Sequence, residues 1–171
     1  MNTEEIENAL KEYRHFDGVF PADLIPKPQK YPYSVIVNYD TSQFPGTHWI
    51  CFFLPSKYKC EYFDSFGFKP LNIYFIEFIK NFTNNAFYYY NPIRLQNNSS
   101  SVCGYYCISY VSNRLKGISP SKILKKLNYG DTKLNDCKVY TDISKKFRIK
   151  KKLSRKQTCC TFKVFKRKLK E

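Results

Sequence analysis

The sequence has few of the residues that build metal sites, and it has no long apolar run. Only two histidines occur among 171 residues, so a zinc site is not expected. No stretch of about 18 apolar residues is present, which excludes a transmembrane helix. The N-terminal stretch MNTEEIENALKEY is acidic and amphipathic, and it lacks the basic and then apolar regions of a signal peptide. We therefore expect a protein that is not secreted and has no membrane partner.

The cysteines do not form a regular pattern. There are seven, an odd number at irregular spacings, which does not fit a framework of disulfides. The close pairs are Cys103 with Cys107 and Cys159 with Cys160. Together with the lack of a signal peptide, this pattern predicts free thiols in a reducing compartment.

Acidic residues are almost missing from the end of the chain. Residues 145–171 contain thirteen lysines and arginines and one acid, and so carry most of the formal net charge of +15. Residues 1–144 carry sixteen basic and thirteen acidic residues and are close to neutral. We predict one globular domain over residues 1–144 and a basic C-terminal tail over residues 145–171 that is extended or disordered.

The hydrophobic patterns predict an α+β domain. Four extended runs are typical of strands: residues 33–40, 48–55, 59–66 and 86–96. Five stretches favour helices: residues 3–14, 72–82, 103–115 and 119–128, and a last short helix that begins near Asn135. The proline-rich segment 16–32 is expected to be a surface loop. We predict a small, mostly antiparallel sheet flanked by helices, in which the second and third strands form a hairpin.

The stretch LQNNSSSVCGYYC contains a cysteine that opens one of the predicted helices. A free thiol has a pKa of about 8.5 and is mostly protonated at neutral pH. The N-terminus of a helix stabilises a thiolate through its dipole and its free N–H groups. A thiolate nucleophile also needs a histidine as acid and base, a carboxylate to orient that histidine, and a donor for the oxyanion. Cys103 is therefore a candidate nucleophile if such partners exist elsewhere.

Residues with these side chains lie at the ends of the predicted elements. His48 begins one strand of the hairpin and Asp64 ends the other, so antiparallel pairing is expected to bring the two into contact. Gln96 precedes Cys103 by seven residues, far enough for the loop to return its amide to the cysteine. Gly104 leaves the backbone beside the nucleophile open to a substrate.

Each of these residues has a simpler explanation when it is taken alone. A cysteine at a helix start is more often a small buried apolar residue, by roughly four to one. A single histidine at a strand edge is more often structural, and one glutamine carries almost no signal. The joint order, with each residue at the end of a suitable element, favours a catalytic site. Cys51, Cys60 and Cys107 are expected to be packing residues.

The same motifs resemble those of a known protease family. The matching stretches are FDGVFP, SVIVNYDTSQFPGTHWICFF, KCEYFDSFGF and LQNNSSSVCGYYC, and they cover most of residues 1–117. In this order they resemble the adenovirus capsid-maturation protease and its relatives in virophages and Polinton-like elements, within the clan of SUMO-specific proteases. The resemblance implies a papain-like or SUMO-protease-like cysteine protease fold, with the nucleophile at the N-terminus of a central helix.

The resemblance also implies a role for each candidate residue. Cys103 would be the nucleophile, His48 the general base and acid, and Asp64 the residue that orients His48. The Gln96 side chain and the Cys103 backbone N–H would form the oxyanion hole. Trp49 would pack beside the histidine and shield the site. The substrate would be a capsid or virion precursor cut at a glycine-containing sequence, because a narrow cleft admits a chain only where side chains are missing.

Two features depart from the adenovirus enzyme. Its third catalytic residue is a glutamate, whereas this chain has Asp64, as the SUMO proteases do, and either carboxylate can orient a histidine. The adenovirus enzyme is activated by a basic peptide joined through a cysteine upstream of its glutamine. The matching region here, NNAFYYYNPIRLQ, has no cysteine. We therefore expect chemistry that requires no cofactor and no disulfide-linked activating peptide, with DNA as a candidate activator.

The basic tail has the composition of a nucleic-acid-binding segment. Its candidate DNA contacts are Lys150, Lys151, Lys152, Arg155, Lys156, Lys166, Arg167 and Lys168. Binding to double-stranded DNA would keep the protease close to the genome inside the particle. The adenovirus protease that these motifs resemble uses DNA in this way. Three alternatives stay open: a solvated disordered tail, a nuclear targeting signal, and a built-in activating segment that contains Cys159 and Cys160.

These observations predict a monomeric viral cysteine endopeptidase that acts in the virion and in the cytoplasm or nucleus of the host. Its partners would be capsid precursors and, through the tail, double-stranded DNA. Two other functions stay open. One is a protease that removes a ubiquitin-like modifier with the same triad, and the other is a non-enzymatic basic DNA-binding protein of the virion. The presence of all four candidate catalytic residues argues against the non-enzymatic function.

Overall fold

The computed structural model describes residues 1–149, apart from the side chains of residues 84–87. The helices are α1 (Thr3–Leu10), α2 (Ile73–Phe82), α3 (Cys103–Arg114), α4 (Pro120–Leu124) and α5 (Thr132–Phe147). The strands are β1 (Phe16–Phe20), β2 (Tyr33–Asn38), β3 (Trp49–Ser56), β4 (Tyr58–Phe63) and β5 (Thr83–Tyr90). A short 3-10 helix covers Ala22–Leu24. Within residues 1–149, none of the helices is both long and apolar enough to cross a bilayer.

The five strands form one sheet in the order β1–β2–β3–β4–β5. The two central pairings, β2 with β3 and β3 with β4, are antiparallel, and β3 and β4 form the expected hairpin. The two outer pairings are parallel. β5 is parallel to β4 because α2 carries the chain back between them, as parallel neighbours require. The α+β class and the sheet flanked by helices agree with the prediction, but the sheet is mixed rather than mostly antiparallel, since two of its four pairings are parallel.

Helices cover both faces of the sheet. On one face α3 packs against β3, with α1, α4 and α5 around it, and α2 packs in the core on the other face. Nine of the twelve residues of α3 are buried, so the helix that begins with Cys103 lies in the centre of the domain. This is the position expected for the helix that carries the nucleophile.

The start of the proline-rich segment 16–32 is a strand, and the prediction of a loop was wrong there. Phe16–Phe20 form β1, which pairs with β2 with a register shift between Phe16 and Gly18. Only Val19 of this strand is buried. Because β1 is short, irregular and at the sheet edge, it lacks the alternation of apolar residues by which a strand is predicted.

The last helix is longer than the sequence indicated. Asp131 caps its N-terminus, where the side chain accepts a hydrogen bond from the Leu134 N–H at 2.9 Å. The helix begins at Thr132 and continues to Phe147. It therefore crosses the expected end of the domain at residue 144. The rest of the tail, with all of the candidate DNA contacts and the predicted extended or disordered state, lies outside the described residues.

A buried ion pair joins α3 to the sheet. The Arg114 guanidinium donates two hydrogen bonds to the Glu61 carboxylate, from Nε to Oε2 at 2.7 Å and from Nη2 to Oε1 at 2.8 Å. The Tyr110 hydroxyl donates to the same carboxylate at 2.9 Å. Since Glu61 is only 8% exposed, its charge depends on these partners, and they fix the C-terminal end of α3 on β4.

Candidate active site

Cys103 is the first residue of α3, as the sequence predicted. The preceding residue, Val102, makes no side-chain hydrogen bond to the helix, so no side chain competes for the N–H groups of the first turn. The backbone N–H groups of Trp49 in β3 and Gly104 in α3 act to lower the pKa of the Cys103 thiol. The surroundings of Cys103 therefore favour a negatively charged sulfur.

The hairpin brings His48 and Asp64 together. His48 directly precedes β3 and Asp64 directly follows β4, and the pairing of Cys51 with Phe63 places these ends side by side. The imidazole Nε2 lies 2.9 Å from Asp64 Oδ1. The Cys103 thiol acts on the same imidazole, since the two groups shift each other's pKa. The carboxylate, the imidazole and the thiol thus form one line of interacting groups.

The charges along this line depend on one another. Burial acts to lower the pKa of His48, but its interactions with Asp64 and Cys103 raise that pKa to about 9. Burial acts to raise the pKa of Cys103, but the hydrogen bond and charge of His48 and the two backbone N–H groups lower it below its ordinary value. Both shifts act in the direction of a thiolate on Cys103 beside an imidazolium on His48.

Asp64 is fixed by its neighbours as well as by His48. Its Oδ1 accepts a hydrogen bond from the Phe66 N–H at 2.8 Å. Asn91 holds the Asp64 backbone on both sides, accepting from its N–H at 3.1 Å and donating to its carbonyl at 2.7 Å. The Phe66 ring lies against the imidazole, with 5.0 Å between the ring centres. The turn closes at Gly67, whose φ of +76° and close approach to a neighbouring backbone leave no room for a side chain.

Gln96 is held in one orientation by Ser65, the residue after Asp64. The Ser65 hydroxyl donates to Gln96 Oε1 at 2.7 Å, and Gln96 Nε2 donates to the Ser100 carbonyl at 2.9 Å. The Ser65 carbonyl also accepts a hydrogen bond from the Gln96 N–H at 3.0 Å. Because an amide has two N–H groups, one remains for a substrate. Among the described residues, the Gln96 side chain hydrogen bonds to Ser65 and Ser100 and not to Cys103.

The loop that carries Gln96 is attached to α5. The Asn135 side chain donates to the Leu95 carbonyl at 3.2 Å. The Asp136 carboxylate accepts the Asn97 N–H, at 3.3 Å and 3.4 Å from its two oxygens. The Tyr106 hydroxyl lies between the loop and α5, 3.0 Å from the Leu95 carbonyl and 2.9 Å from Asp136 Oδ1. Helix α5 therefore helps to fix the position of the loop.

A cleft of about 500 Å³ opens beside the thiol, lined by Cys103, Trp49 and Met1 among others. Trp49 follows His48 in the chain, and its indole N–H donates to the Met1 carbonyl at 3.2 Å. The structure thus places Trp49 in the wall of the cleft. A Cβ on Gly104 would lie 2.8 Å from the Met1 sulfur. In this structure the space that the glycine leaves is occupied by Met1 rather than open to a substrate.

The other cysteines near the sheet are packing residues, as predicted. Cys51, Cys60 and Cys107 are buried. Burial raises the pKa of Cys60 and of Cys107, which is the opposite of the effect at Cys103. The Cys107 thiol donates to the Trp49 carbonyl at 3.3 Å. In the part of the chain that the structure describes, no group of three or more histidines, cysteines or acids could hold a metal ion.

Sequence reasoning did not identify four residues that the structure places around the site: Met1, Ser65, Phe66 and Asn91. Ser65 and Phe66 belong to the DSFG stretch, where the available signal was a turn directly after the carboxylate. The Met1 carbonyl binds the Trp49 side chain, and the Asn91 side chain binds the Asp64 backbone. Both contacts join residues that are far apart in the sequence, and side-chain patterns do not reveal such contacts.

Among solved structures, the ASFV pS273R protease is similar to this chain, with a TM-score of 0.44 and 22% sequence identity. The alignment covers 69% of this chain and 44% of that protease, so the chain spans less than half of its length. No family model matches the chain, and no curated protein matches it. A structural likeness this distant says nothing about chemistry, which has to be argued from the geometry of the site.

The pKa of Cys103 can be tested through its rate of alkylation by iodoacetamide. The thiolate is the reactive form, and it is lost as the pH falls through the pKa, so the half-maximal rate should occur below the ordinary pKa of a cysteine thiol. His48→Ala removes a hydrogen bond and a positive charge, so the half-maximal rate should move to higher pH. Mass spectrometry of the Cys103 peptide gives the rate, with Cys137 of α5 in the same sample as control. An unchanged profile in His48→Ala would contradict the coupling.

Proposed function

We propose that this chain is a cysteine endopeptidase. The observation that carries the proposal is the line from Asp64 through His48 to Cys103. In it, a carboxylate lies 2.9 Å from an imidazole that lowers the pKa of a thiol at a helix N-terminus. A thiolate held in this way beside a cleft is suited to attack a carbonyl carbon. If Cys103 or His48 had a purely structural role, it would not need the other two residues of this line beside it.

The reaction would begin with attack of the Cys103 thiolate on the carbonyl carbon of the scissile peptide bond. The carbonyl oxygen becomes an oxyanion, which the remaining Gln96 side-chain N–H and the Cys103 backbone N–H would stabilise. The His48 imidazolium then gives its proton to the leaving amine as the C–N bond breaks, and a thioester remains on Cys103.

The second half of the reaction restores the enzyme. Neutral His48 takes a proton from a water molecule whose oxygen attacks the thioester carbon. The C–S bond breaks, the new carboxyl terminus leaves, and the thiolate and imidazolium are formed again. Asp64 keeps the imidazole in position and stabilises its charge throughout. None of these steps requires a cofactor.

We further propose that the enzyme belongs to the adenovirus-type proteases of the virophage and Polinton-like branch, and that it cuts capsid or virion precursors at glycine-containing sites. The order of the motifs along the chain, the FGF sequence after the carboxylate and the spacing between Gln96 and Cys103 support this assignment. Asp64 in place of glutamate is compatible with it, because the contact to His48 requires only a carboxylate. The enzyme would act as a monomer in the virion and in the host cytoplasm or nucleus.

The first test is cleavage of the major capsid precursor of the source virus. Wild type should release a defined fragment, and Cys103→Ala should release none, because the nucleophile is gone. Cys137→Ala is the matched control: it removes a cysteine of α5 that does not line the cleft, and it should cleave like wild type. Cleavage by Cys103→Ala would assign the activity to a contaminant and contradict the proposal.

A ubiquitin-like precursor that ends in a diglycine motif separates the alternatives when it is assayed in parallel. Processing of this precursor but not of the capsid precursor would keep the chemistry and change the substrate. DNA binding without cleavage of either precursor would favour the non-enzymatic virion protein.

The role of Gln96 in the oxyanion hole predicts a measurable role for Ser65. Gln96→Ala should lower kcat by about 10²- to 10³-fold, since it removes an oxyanion donor. Ser65→Ala leaves the amide in place but removes a hydrogen bond that orients it, so kcat should fall by about 3- to 10-fold with KM little changed. Ser112→Ala, which alters another fully buried serine, is the matched control. A larger change in KM than in kcat would contradict this role.

The basic tail is proposed to bind double-stranded DNA and so to keep the enzyme near the genome. Deleting residues 150–171 leaves α5 complete, because this helix ends at Phe147. The deletion should weaken DNA binding and flatten its dependence on salt, because phosphate contacts release counterions. Fluorescence anisotropy at several salt concentrations measures both effects, and unchanged DNA affinity would contradict the proposal. Loss of cleavage in the absence of DNA would instead identify the tail as a built-in activating segment.

A further inference from the structure

Residue 1 contacts Trp49, which lines the cleft beside Cys103, and Gly104, which follows Cys103 in α3. The Met1 carbonyl accepts a hydrogen bond from the Trp49 indole N–H at 3.2 Å. The Met1 side chain is 1% exposed and packs over Gly104, where an added Cβ would lie 2.8 Å from the Met1 sulfur and 3.3 Å from its Cβ and Cγ. The backbone N–H groups of Trp49 and Gly104 act to lower the pKa of Cys103.

The start of α1 holds Met1 in this place. Asn2 and Glu5 form a capping box, in which Asn2 Oδ1 accepts the Glu5 N–H at 2.9 Å and the Glu5 carboxylate accepts the Asn2 N–H at 2.9 Å. The Asn2 N–H and the Met1 carbonyl belong to the same peptide unit. The capping box therefore fixes the carbonyl that Trp49 uses, and the buried residue Ile6 fixes the helix on the core.

Trp49 is held at its side chain and on both sides of its backbone. Its N–H acts to lower the pKa of Cys103, its carbonyl accepts a hydrogen bond from the Cys107 thiol at 3.3 Å, and its indole N–H donates to the Met1 carbonyl. A substitution of Met1 is therefore expected to act on Cys103 through one intervening residue, Trp49.

We propose that Met1 is a positioning residue of the active site, which acts through Trp49 and Gly104 to hold their backbone N–H groups against the Cys103 sulfur. This role also explains why residue 104 is a glycine, because a residue with a Cβ at this position would displace the Met1 side chain. The effect on turnover rests on the proposed function, whereas the effect on the thiol can be measured without any substrate.

The test compares Met1→Gly and Trp49→Phe with wild type in the full chain. Residue 1 is varied by cutting a fusion protein directly before it, and wild type is produced in the same way. Met1→Gly removes the side chain that packs on Gly104, and Trp49→Phe removes the indole N–H. The ionisable groups that act on Cys103 stay the same in both variants: His48 with its partner Asp64, and Cys107.

We expect both variants to move the alkylation profile of Cys103 to higher pH, with a rate at about pH 6 that is about 3- to 10-fold lower, as for the loss of one hydrogen bond. Cys137 alkylation should not change. The combined variant should lose less than the product of the two single losses, because both act on the same contact. Profiles of Met1→Gly and Trp49→Phe that match wild type would overturn the proposal.

Gly104→Ala gives a second, independent test. Its Cβ conflicts with the Met1 side chain, so it should lower the Cys103 alkylation rate, and Met1→Gly in the same chain should restore that rate at least in part. No restoration would overturn the reason given for Gly104. If the capsid precursor is not cut but the alkylation shifts occur, the proposed function fails and the role of Met1 stands. If cleavage is normal and the shifts are absent, only the role of Met1 fails.

Discussion

Asp64 and Ser65, two adjacent residues directly after β4, fix the positions of His48 and Gln96 through hydrogen bonds. Asp64 holds the imidazole of His48, and Ser65 holds both the side chain and the backbone of Gln96. Since a single peptide separates the two residues, the histidine and the proposed oxyanion donor cannot shift independently. Their common position follows from the β3–β4 pairing and from Asn91, which holds the Asp64 backbone.

This arrangement is stable because its buried polar groups have partners. Asp64, Ser65 and Gln96 are fully buried, and Asn91 is 1% exposed. A buried polar group costs free energy unless it is hydrogen bonded, so such a network accepts few other conformations. One exception is Asp64 Oδ2, which has no hydrogen-bond partner among the described residues. The carboxylate thus directs its bonding through Oδ1, the oxygen that faces His48.

The sequence was sufficient to predict where three of the candidate residues lie in the fold. Cys103 opens a helix, and His48 and Asp64 flank a hairpin whose pairing brings these two into contact. The strand β1 was missed because its pairing with β2 is a tertiary contact that only one buried residue, Val19, indicates locally. The role of Gly104 could not be inferred correctly for the same kind of reason, since Met1 reaches it from more than a hundred positions away.

Helix α5 has a mechanical consequence. Its first turns hold the loop of Gln96 through Asn135 and Asp136, and its last residue, Phe147, adjoins the basic end of the chain. The distance along the helix from Asp136 to Phe147 is about 16 Å at 1.5 Å per residue. Because an α-helix resists stretching and bending over such a length, α5 moves as one rigid element. A displacement of α5 along its axis would therefore move the loop of Gln96 through the hydrogen bonds of Asn135 and Asp136.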